Sequence, residues 1–336
     1  MNPGAPFQSV GVIGGGAWGT ALASLCATNG VATTLWARED AVIRSINTAH
    51  ENSEYLPGVP LPESLKAAQS LGMAADCQAI LFVVPAQFAR PVFADLREAT
   101  DGRPVPVALC SKGIERSSGL MMTEVLAGVW PEAEPAVLSG PSFARDVAMG
   151  LPTAVTLAAR DKDTGARWMA TLGGPGFRPY LSDDLTGAEL GGAVKNVLAI
   201  AAGVVEGKGF GESARAALIA RGFAEFQRLG VALGAKKETM AGLSGLGDLI
   251  LTATSPQSRN MSLGIDLGKG RTLDEILSER NTVCEGVATA GAIHALAEKA
   301  GVEAPICEAV AALVSGAKSV DEIIAALMAR PLKSEA

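Results

Sequence analysis

The side chains best suited to chemistry are a few lysines, acids and arginines set in glycine-rich, otherwise apolar segments. Lys195 lies in Glu189-Leu190-Gly191-Gly192-Ala193-Val194-Lys195-Asn196-Val197. A lysine on a helix is ordinarily a solvated surface residue. Here Gly192 and Ala199 share its face at helical spacing, so another element can approach closely. An ammonium in so cramped and apolar a setting is destabilised, which lowers its pKa toward a value useful for proton transfer. Surface cation and buried proton carrier both fit these residues.

Lys112 sits in Ser111-Lys112-Gly113, directly after a strand-like run at 106–110. Ligands bind at the carboxyl ends of parallel strands. Leu138-Ser139-Gly140-Pro141-Ser142-Phe143-Ala144 is again strand, turn and helix start. Ser142 can cap that helix, meet a ligand, or do both. Asp248 follows the glycine-rich turn at Leu246-Gly247. Ser258-Arg259-Asn260 presents a hydroxyl, a guanidinium and an amide in succession. Arg259 can form paired hydrogen bonds to a phosphate while its neighbours complete the shell, or the triplet is a surface loop entering the 261–267 segment. Glu285, in Val283-Cys284-Glu285-Gly286, opens a further helix, where the N-terminal dipole favours a carboxylate with or without a ligand.

Other reactive residue types contribute less. Of the two histidines, His50 lies in a polar stretch and His294 on an amphipathic helix, so both read as structural and no histidine–aspartate relay is expected. The five cysteines, Cys26, Cys77, Cys110, Cys284 and Cys307, are scattered and never spaced CxxC, as expected of reduced, mostly buried thiols. No metal site is expected.

The elements that must position these residues follow from the hydrophobic pattern. Gly14-x-Gly16-x-x-Gly19 comes immediately after a short apolar strand at 9–13 and opens an Ala/Leu-rich helix at 17–29. The glycines suit a tight turn, close approach to a pyrophosphate and close helix–strand packing, with the anion at the helix N-terminus. A second strand at 31–36 ends in Trp36-Ala37-Arg38-Glu39. Arg38 there can meet the 2′-phosphate of NADP, or it merely caps a solvated turn. An acidic residue would instead accept from the ribose of NAD. NADP is preferred, with dual use of NAD open.

The apolar run 79–84 reads as a central strand covered on both faces, with further strands at 106–110 and 136–139. Their alternation with helices predicts an α/β fold, an N-terminal Rossmann-type doubly wound parallel sheet. From residue 188 onward the pattern is helical, at 188–206, 213–233, 274–279, 285–299, 306–315 and 320–328. The expected division is a dinucleotide-binding domain at 1–186, an all-helical substrate and catalytic domain at 187–330, and a tail at 331–336. A strand-like stretch at 177–181 lies close to that boundary.

With 48% apolar and 19% charged residues over 336 positions, the chain has ample material for two buried cores. A net charge of −7 without basic blocks argues against nucleic acid and anionic membrane surfaces as partners. Residues 1–9 lack the basic start of a signal peptide, and apolar runs such as 197–205 are too short to span a bilayer, so no membrane insertion and a cytoplasmic location are expected. The Gly/Ala-rich helical half suits a homodimer.

Together the segments resemble the bacterial glycerol-3-phosphate dehydrogenase family almost from end to end. The carrying phrases are VIGGGAWGTALA from Val12, SKGIE from Ser111 and LSGPSFARDVAMGLPTAV from Leu138. Downstream come GGAVKNVLAIAAGVVEG from Gly191, GLSGLGDLILTATSPQSRN from Gly242 and VCEGVATA from Val283.

The resemblance implies reversible reduction of dihydroxyacetone phosphate, a small phosphorylated substrate, to sn-glycerol 3-phosphate for glycerophospholipid synthesis. It implies Lys195 as the proton donor and acceptor, itself in contact with substrate. Lys112 would touch cofactor and substrate, and Gly140, Ser142, Asp248, Ser258, Arg259 and Asn260 would shape the substrate site. Ala17, Trp18, Arg38, Ala144, Arg259, Val283 and Glu285 would line the cofactor beside Gly14, Gly16 and Gly19. One departure is the acidic pair Glu39 and Asp40 after Arg38, where family members often carry a second basic or His-like residue. Two rival readings are a dehydrogenase of another hydroxy acid, such as 6-phosphogluconate, and a non-catalytic dinucleotide sensor.

Overall fold

Apolar runs dictate the centre of the sheet. In the computed structural model, which describes residues 4–280 and 284–331, β4 (Ala79–Phe82) is buried at every position and lies beside β1 (Ser9–Ile13). The remaining strands are β2 (Ala32–Trp36), β3 (Lys66–Ala68), β5 (Pro106–Leu109), β6 (Glu134–Ser139), β7 (Thr153–Ala159) and β8 (Phe177–Ser182). They form one eight-stranded sheet in the order β3-β2-β1-β4-β5-β6-β7-β8. The order reverses between β1 and β4, and a ligand crevice forms at such a switch point, outside the carboxyl ends of the strands.

Among the described residues seven α-helices belong to the sheet region: α1 (Ala17–Thr28), α2 (Asp40–Ala49), α3 (Leu71–Ala75), α4 (Ala89–Ala99), α5 (Met122–Val129), α6 (Ala144–Ala148) and α7 (Lys162–Leu172). Gly19 packs α1 onto the loop so tightly that a Cβ there would lie 1.9 Å from the Gly14 carbonyl oxygen. Gly14 itself has φ +128°, open to glycine alone.

The parallel sheet read from sequence holds from β3 to β6. β7 then pairs antiparallel with β6, with Leu138 opposite Leu157. The connection, residues 140–152, forms only the five-residue helix α6, too short a helix to carry the chain back along the length of a strand as a parallel crossover requires. β7 goes unread in the sequence although Thr153, Val155 and Thr156 are β-branched, because its three alanines dilute that signal. The strand-like stretch near the boundary is β8, parallel to β7.

Beyond Ser182 the described residues are helical: α8 (Leu185–Gly207), α9 (Glu212–Ala232), α10 (Lys237–Ala241), α11 (Asp248–Thr254), α12 (Arg259–Gly268), α13 (Leu273–Ser278), α14 (Glu285–Lys299), α15 (Pro305–Val314) and α16 (Val320–Met328). α8 is the axis of this region and is buried continuously from Gly187 to Gly203. By length and composition it could cross a membrane, which the short apolar run at 197–205 did not suggest, but its apolar window is wholly enclosed by protein.

α12 crosses α8 backbone to backbone. A Cβ on Gly203 would lie 2.2 Å from the Met261 oxygen, and one on Gly264 would lie 2.1 Å from the Ile200 oxygen. α8 is also fastened to the sheet region. The buried Glu189 carboxylate accepts from the Thr123 N–H (2.9 Å) and hydroxyl (2.6 Å) at the start of α5. That anchorage fixes where Lys195, two turns further on, emerges.

Candidate functional site

Lys195 is 7% exposed, which decides between the two readings of its helix face: it is buried. Its Nζ donates to Asp248 Oδ1 at 2.5 Å and to Thr252 Oγ1 at 3.1 Å. Asp248 is the first residue of α11, so Thr252 lies one turn along the same face. The other carboxylate oxygen of Asp248 accepts from Lys112 Nζ at 2.8 Å, and Lys112 also donates to the Gly140 carbonyl at 3.1 Å. One buried carboxylate thus bridges two ammonium groups drawn from opposite regions of the molecule.

The electrostatics follow from this geometry. Burial pushes the Lys195 pKa down to about 7, helped by Lys112 and opposed by Asp248. Burial alone would raise the Asp248 carboxyl, but Lys112 and Lys195 overcome it and hold the group below its ordinary value, as a carboxylate. The cluster is a net cation in a low-dielectric setting, suited to a phosphorylated carbonyl compound and to charge growing on its oxygen.

A hydrogen-bond ladder fixes the surroundings. Asn196 Nδ2 donates to the Lys112 carbonyl (3.0 Å) and to Gly192 (3.1 Å), and its Oδ1 accepts from Asn260 Nδ2 at 2.9 Å. Asn260 Oδ1 in turn accepts from the Gly286 N–H at 3.1 Å, joining α8, α12 and α14 behind the loop that carries Lys112. The loop is held from its far side by the paired Arg90–Glu115 contact, at 2.9 and 2.7 Å.

The other residues singled out by sequence divide clearly. Ser142 does not cap α6; its hydroxyl donates to the Gly140 carbonyl at 3.0 Å, beside the cluster. Ser258 does cap α12, accepting from Met261 N at 3.2 Å. Arg259 is exposed at the start of that helix. Ala144 begins α6, and α6 packs on α1. Val283 lies outside the described residues. His294 makes an ordinary contact with Glu298 one turn away, and burial raises the Cys110 thiol, so neither is poised for chemistry.

The fit to a dinucleotide can be judged on free polar groups. No side chain caps the N-terminus of α1 and no acid lies in its first turn, so its leading N–H groups stay available to an anion. Trp18 Nε1, Glu285 Oε2 and Thr289 Oγ1 are buried without a hydrogen-bond partner. The last two converge on Gly113, where a Cβ would lie 2.9 Å from Glu285 Oε2 and 3.1 Å from Thr289 Oγ1. Burial raises the Glu285 carboxyl to about 7, against the Ala86 backbone and Arg259. Arg38 projects from the end of β2 with its side chain 74% exposed, 3.7 Å from Glu39. These residues suit a dinucleotide laid from the mouth of β2, across the glycine loop, toward Lys112.

Thr252 and Thr289 escaped the sequence reading. The Asp248–Thr252 spacing of four was a usable signal once the carboxylate was taken as inward-facing; nothing marked Thr289.

The chain matches the models of the NAD-dependent glycerol-3-phosphate dehydrogenase N-terminus over residues 9–165 and C-terminus over residues 184–325. It is 57% identical over 330 residues to a glycerol-3-phosphate dehydrogenase (NAD(P)+) of Parvibaculum lavamentivorans, covering 98% of each chain. A protein of the same description from Caulobacter vibrioides is 56% identical over 333 residues, covering 98% of this chain and 99% of its own. Among solved structures, glycerol-3-phosphate dehydrogenase from Coxiella burnetii superposes with a TM-score of 0.91 at 37% identity, covering 96% of this chain and 99% of that one.

Proposed function

The chain belongs to the NAD-dependent glycerol-3-phosphate dehydrogenase family, and on that premise we propose that the Lys112–Asp248–Lys195 cluster is its catalytic centre. The reaction is reversible reduction of dihydroxyacetone phosphate to sn-glycerol 3-phosphate with NAD(P)H, a step serving glycerophospholipid synthesis. The observation that carries the site assignment is the buried Lys195 ammonium, 2.5 Å from a carboxylate it shares with Lys112.

The bound nicotinamide supplies the hydride for the substrate's C2. Lys195 gives a proton to the C2 oxygen during reduction and takes it back during oxidation, a role typically contributing about 10²–10⁴-fold. Lys112 adds a second cation beside the developing alkoxide, where a preorganised donor contributes roughly 3–4 kcal/mol. Asp248 aims both ammonium groups and keeps Lys195 from losing its proton altogether. Arg259 and the Ser258–Asn260 turn take the phosphate, with Gly140 and Ser142 closing the other side. The N-terminus of α1, from Gly14 to Gly19 with Ala17 and Trp18, holds the pyrophosphate. Ala144 and Glu285 line the cofactor, and Arg38 favours NADP over NAD without excluding it.

We read residues 1–186 and 187–330 as the cofactor and catalytic domains, with 331–336 a tail. A cytoplasmic homodimer without membrane insertion completes the assignment; Ala216, Ala217, Ala220 and Val231, exposed along α9, support the dimer.

The test is oxidation of NADPH and NADH at 340 nm with dihydroxyacetone phosphate. Rapid oxidation is expected, faster at limiting NADPH. No oxidation with either, from folded protein that still binds a cofactor, would transfer the site to another hydroxy-acid substrate or to a sensor.

A further inference from the structure

The segment between α2 and β3 carries a buried side chain that the reaction, as described, leaves without a task. Asn52 is fully buried, in a polar stretch where an asparagine would ordinarily do no more than close a turn. It does close one: its Oδ1 accepts from Tyr55 N at 3.1 Å, and its own carbonyl accepts from Leu56 N at 2.9 Å. Neither bond needs the amide nitrogen. That nitrogen reaches across the fold instead, donating to the Gly15 carbonyl at 2.9 Å and to Thr20 Oγ1 at 2.8 Å.

Gly15 is the second residue of the Gly14–Gly19 loop, and the bond to its carbonyl has a consequence fixed by peptide geometry. The Gly15–Gly16 peptide is trans, so its C=O and N–H point in opposite directions. With the carbonyl drawn inward to Asn52, the Gly16 N–H is directed outward. Gly16 is exposed, and a Cβ placed on it would meet nothing within 4 Å. It is also the N-cap residue of α1, whose first N–H groups have no side-chain partner. The side of Gly15 away from this face is closed, since a Cβ there would lie 2.5 Å from Ala37 Cβ.

The Asn52 segment is itself well anchored. Ser45 Oγ donates to the Glu51 carbonyl at 2.6 Å, Leu61 N donates to the His50 carbonyl at 2.8 Å, and Arg145 Nη1 donates to the Pro57 carbonyl at 2.8 Å. An asparagine on so fixed a base sets the loop rather than following it.

We infer that Asn52 is a positioning residue for the dinucleotide: it holds the Gly15–Gly16 peptide in the orientation that presents the Gly16 N–H to the pyrophosphate. The inference rests on the cofactor site assigned above. Asn52 touches neither cofactor nor substrate, and it acts on a part of the cofactor that NADH and NADPH share. Its loss therefore weakens both equally and leaves the affinity for dihydroxyacetone phosphate alone.

Two variants test this, with binding of NADH followed by tryptophan fluorescence and turnover followed at 340 nm. Asn52→Ala should raise the Kd for NADH and the KM for both NADH and NADPH by about tenfold or more, the weight of the lost bond to the Gly15 carbonyl plus a misdirected donor, with the KM for dihydroxyacetone phosphate within twofold. Asn52→Asp keeps the acceptor for Tyr55 N but sets a carboxylate against the Gly15 carbonyl. It should bind NADH still more weakly at pH 8 and recover at pH 5.5–6, where a protonated carboxyl can again donate to Gly15, while the parent protein changes little.

Wild-type affinity for both cofactors in either folded variant would overturn the inference. So would a fall in kcat and melting temperature with unchanged cofactor KM, which marks Asn52 as a structural turn residue. Failure of the parent protein itself to bind NADH would instead remove the cofactor site.

Discussion

In the proposed assignment the Gly14–Gly19 loop and the cluster around Asp248 both meet anions, and they do so by opposite means. The loop is six contiguous residues and uses backbone: a positive-φ glycine, a tightly packed helix and N–H groups left uncapped. The cluster uses side chains from α8, α11 and the loop after β5, with two ammonium groups and a carboxylate enclosed together. A backbone site cannot titrate, and its strength lies in fixed direction. A buried lysine pair can titrate, and its strength is tuned by burial and by neighbours. Binding of the cofactor is accordingly assigned to the loop and rate to the cluster, and variants should separate the two.

The largest effect belongs to Lys195. Lys195→Met keeps length and apolar contacts while removing the proton, so kcat should fall by about 10³-fold or more and the Kd for NADH should stay within about threefold. Near-normal turnover would take Lys195 out of the mechanism. A large loss of cofactor affinity would break the division of labour.

Asp248→Asn is expected to act next most strongly, lowering kcat for reduction by about 10²-fold at pH 7.5. Its pH profile carries the sharper information. With Lys195 as the proposed proton donor, reduction should slow as pH rises through its pKa, which burial has already lowered to about 7. Removing the carboxylate leaves burial and Lys112 unopposed, so the descending limb should move to lower pH. A limb at the same pH in parent and variant would mean that another group sets it.

The two regions also differ in how far the sequence displays them. The loop shows in its spacing, because three glycines between a strand and a helix answer a local steric demand. The helical half is legible from periodicity, and α14 and α16 begin and end where the pattern places them. The cluster is not legible in this way. Lys195 could be singled out by its cramped helix face, but its pairing with Asp248 spans 53 positions and that of Lys112 with Asp248 spans 136. No local pattern encodes such contacts; the resemblance of whole phrases implied that these residues share a site, but not how they pair. Asn52 shows the same limit, since its partners Gly15 and Thr20 lie 37 and 32 positions away. β7 was hidden for a different reason, since three alanines dilute the signal of its β-branched Thr153, Val155 and Thr156.

Arg38 offers the smallest effect and the finest separation, because it belongs to the loop's region yet works by charge, as the cluster does. Its guanidinium lies in solvent 3.7 Å from Glu39, an arrangement that contributes little to stability. A 2′-phosphate arriving there would gain charge-assisted hydrogen bonds, whereas the ribose hydroxyl of NADH gains little from the same group. Arg38→Ala should therefore raise the KM for NADPH by about five- to tenfold, in keeping with one exposed charge-assisted contact. The KM for NADH should stay within about twofold, and kcat with either cofactor should be unchanged. Because the contact is exposed, the parent protein's preference for NADPH should also shrink as salt rises and the Debye length contracts from about 10 Å at 0.1 M toward 3 Å at 1 M. A variant that loses NADH and NADPH affinity equally would show that Arg38 shapes the turn after β2. One that loses neither would leave cofactor choice to Glu39 and the backbone.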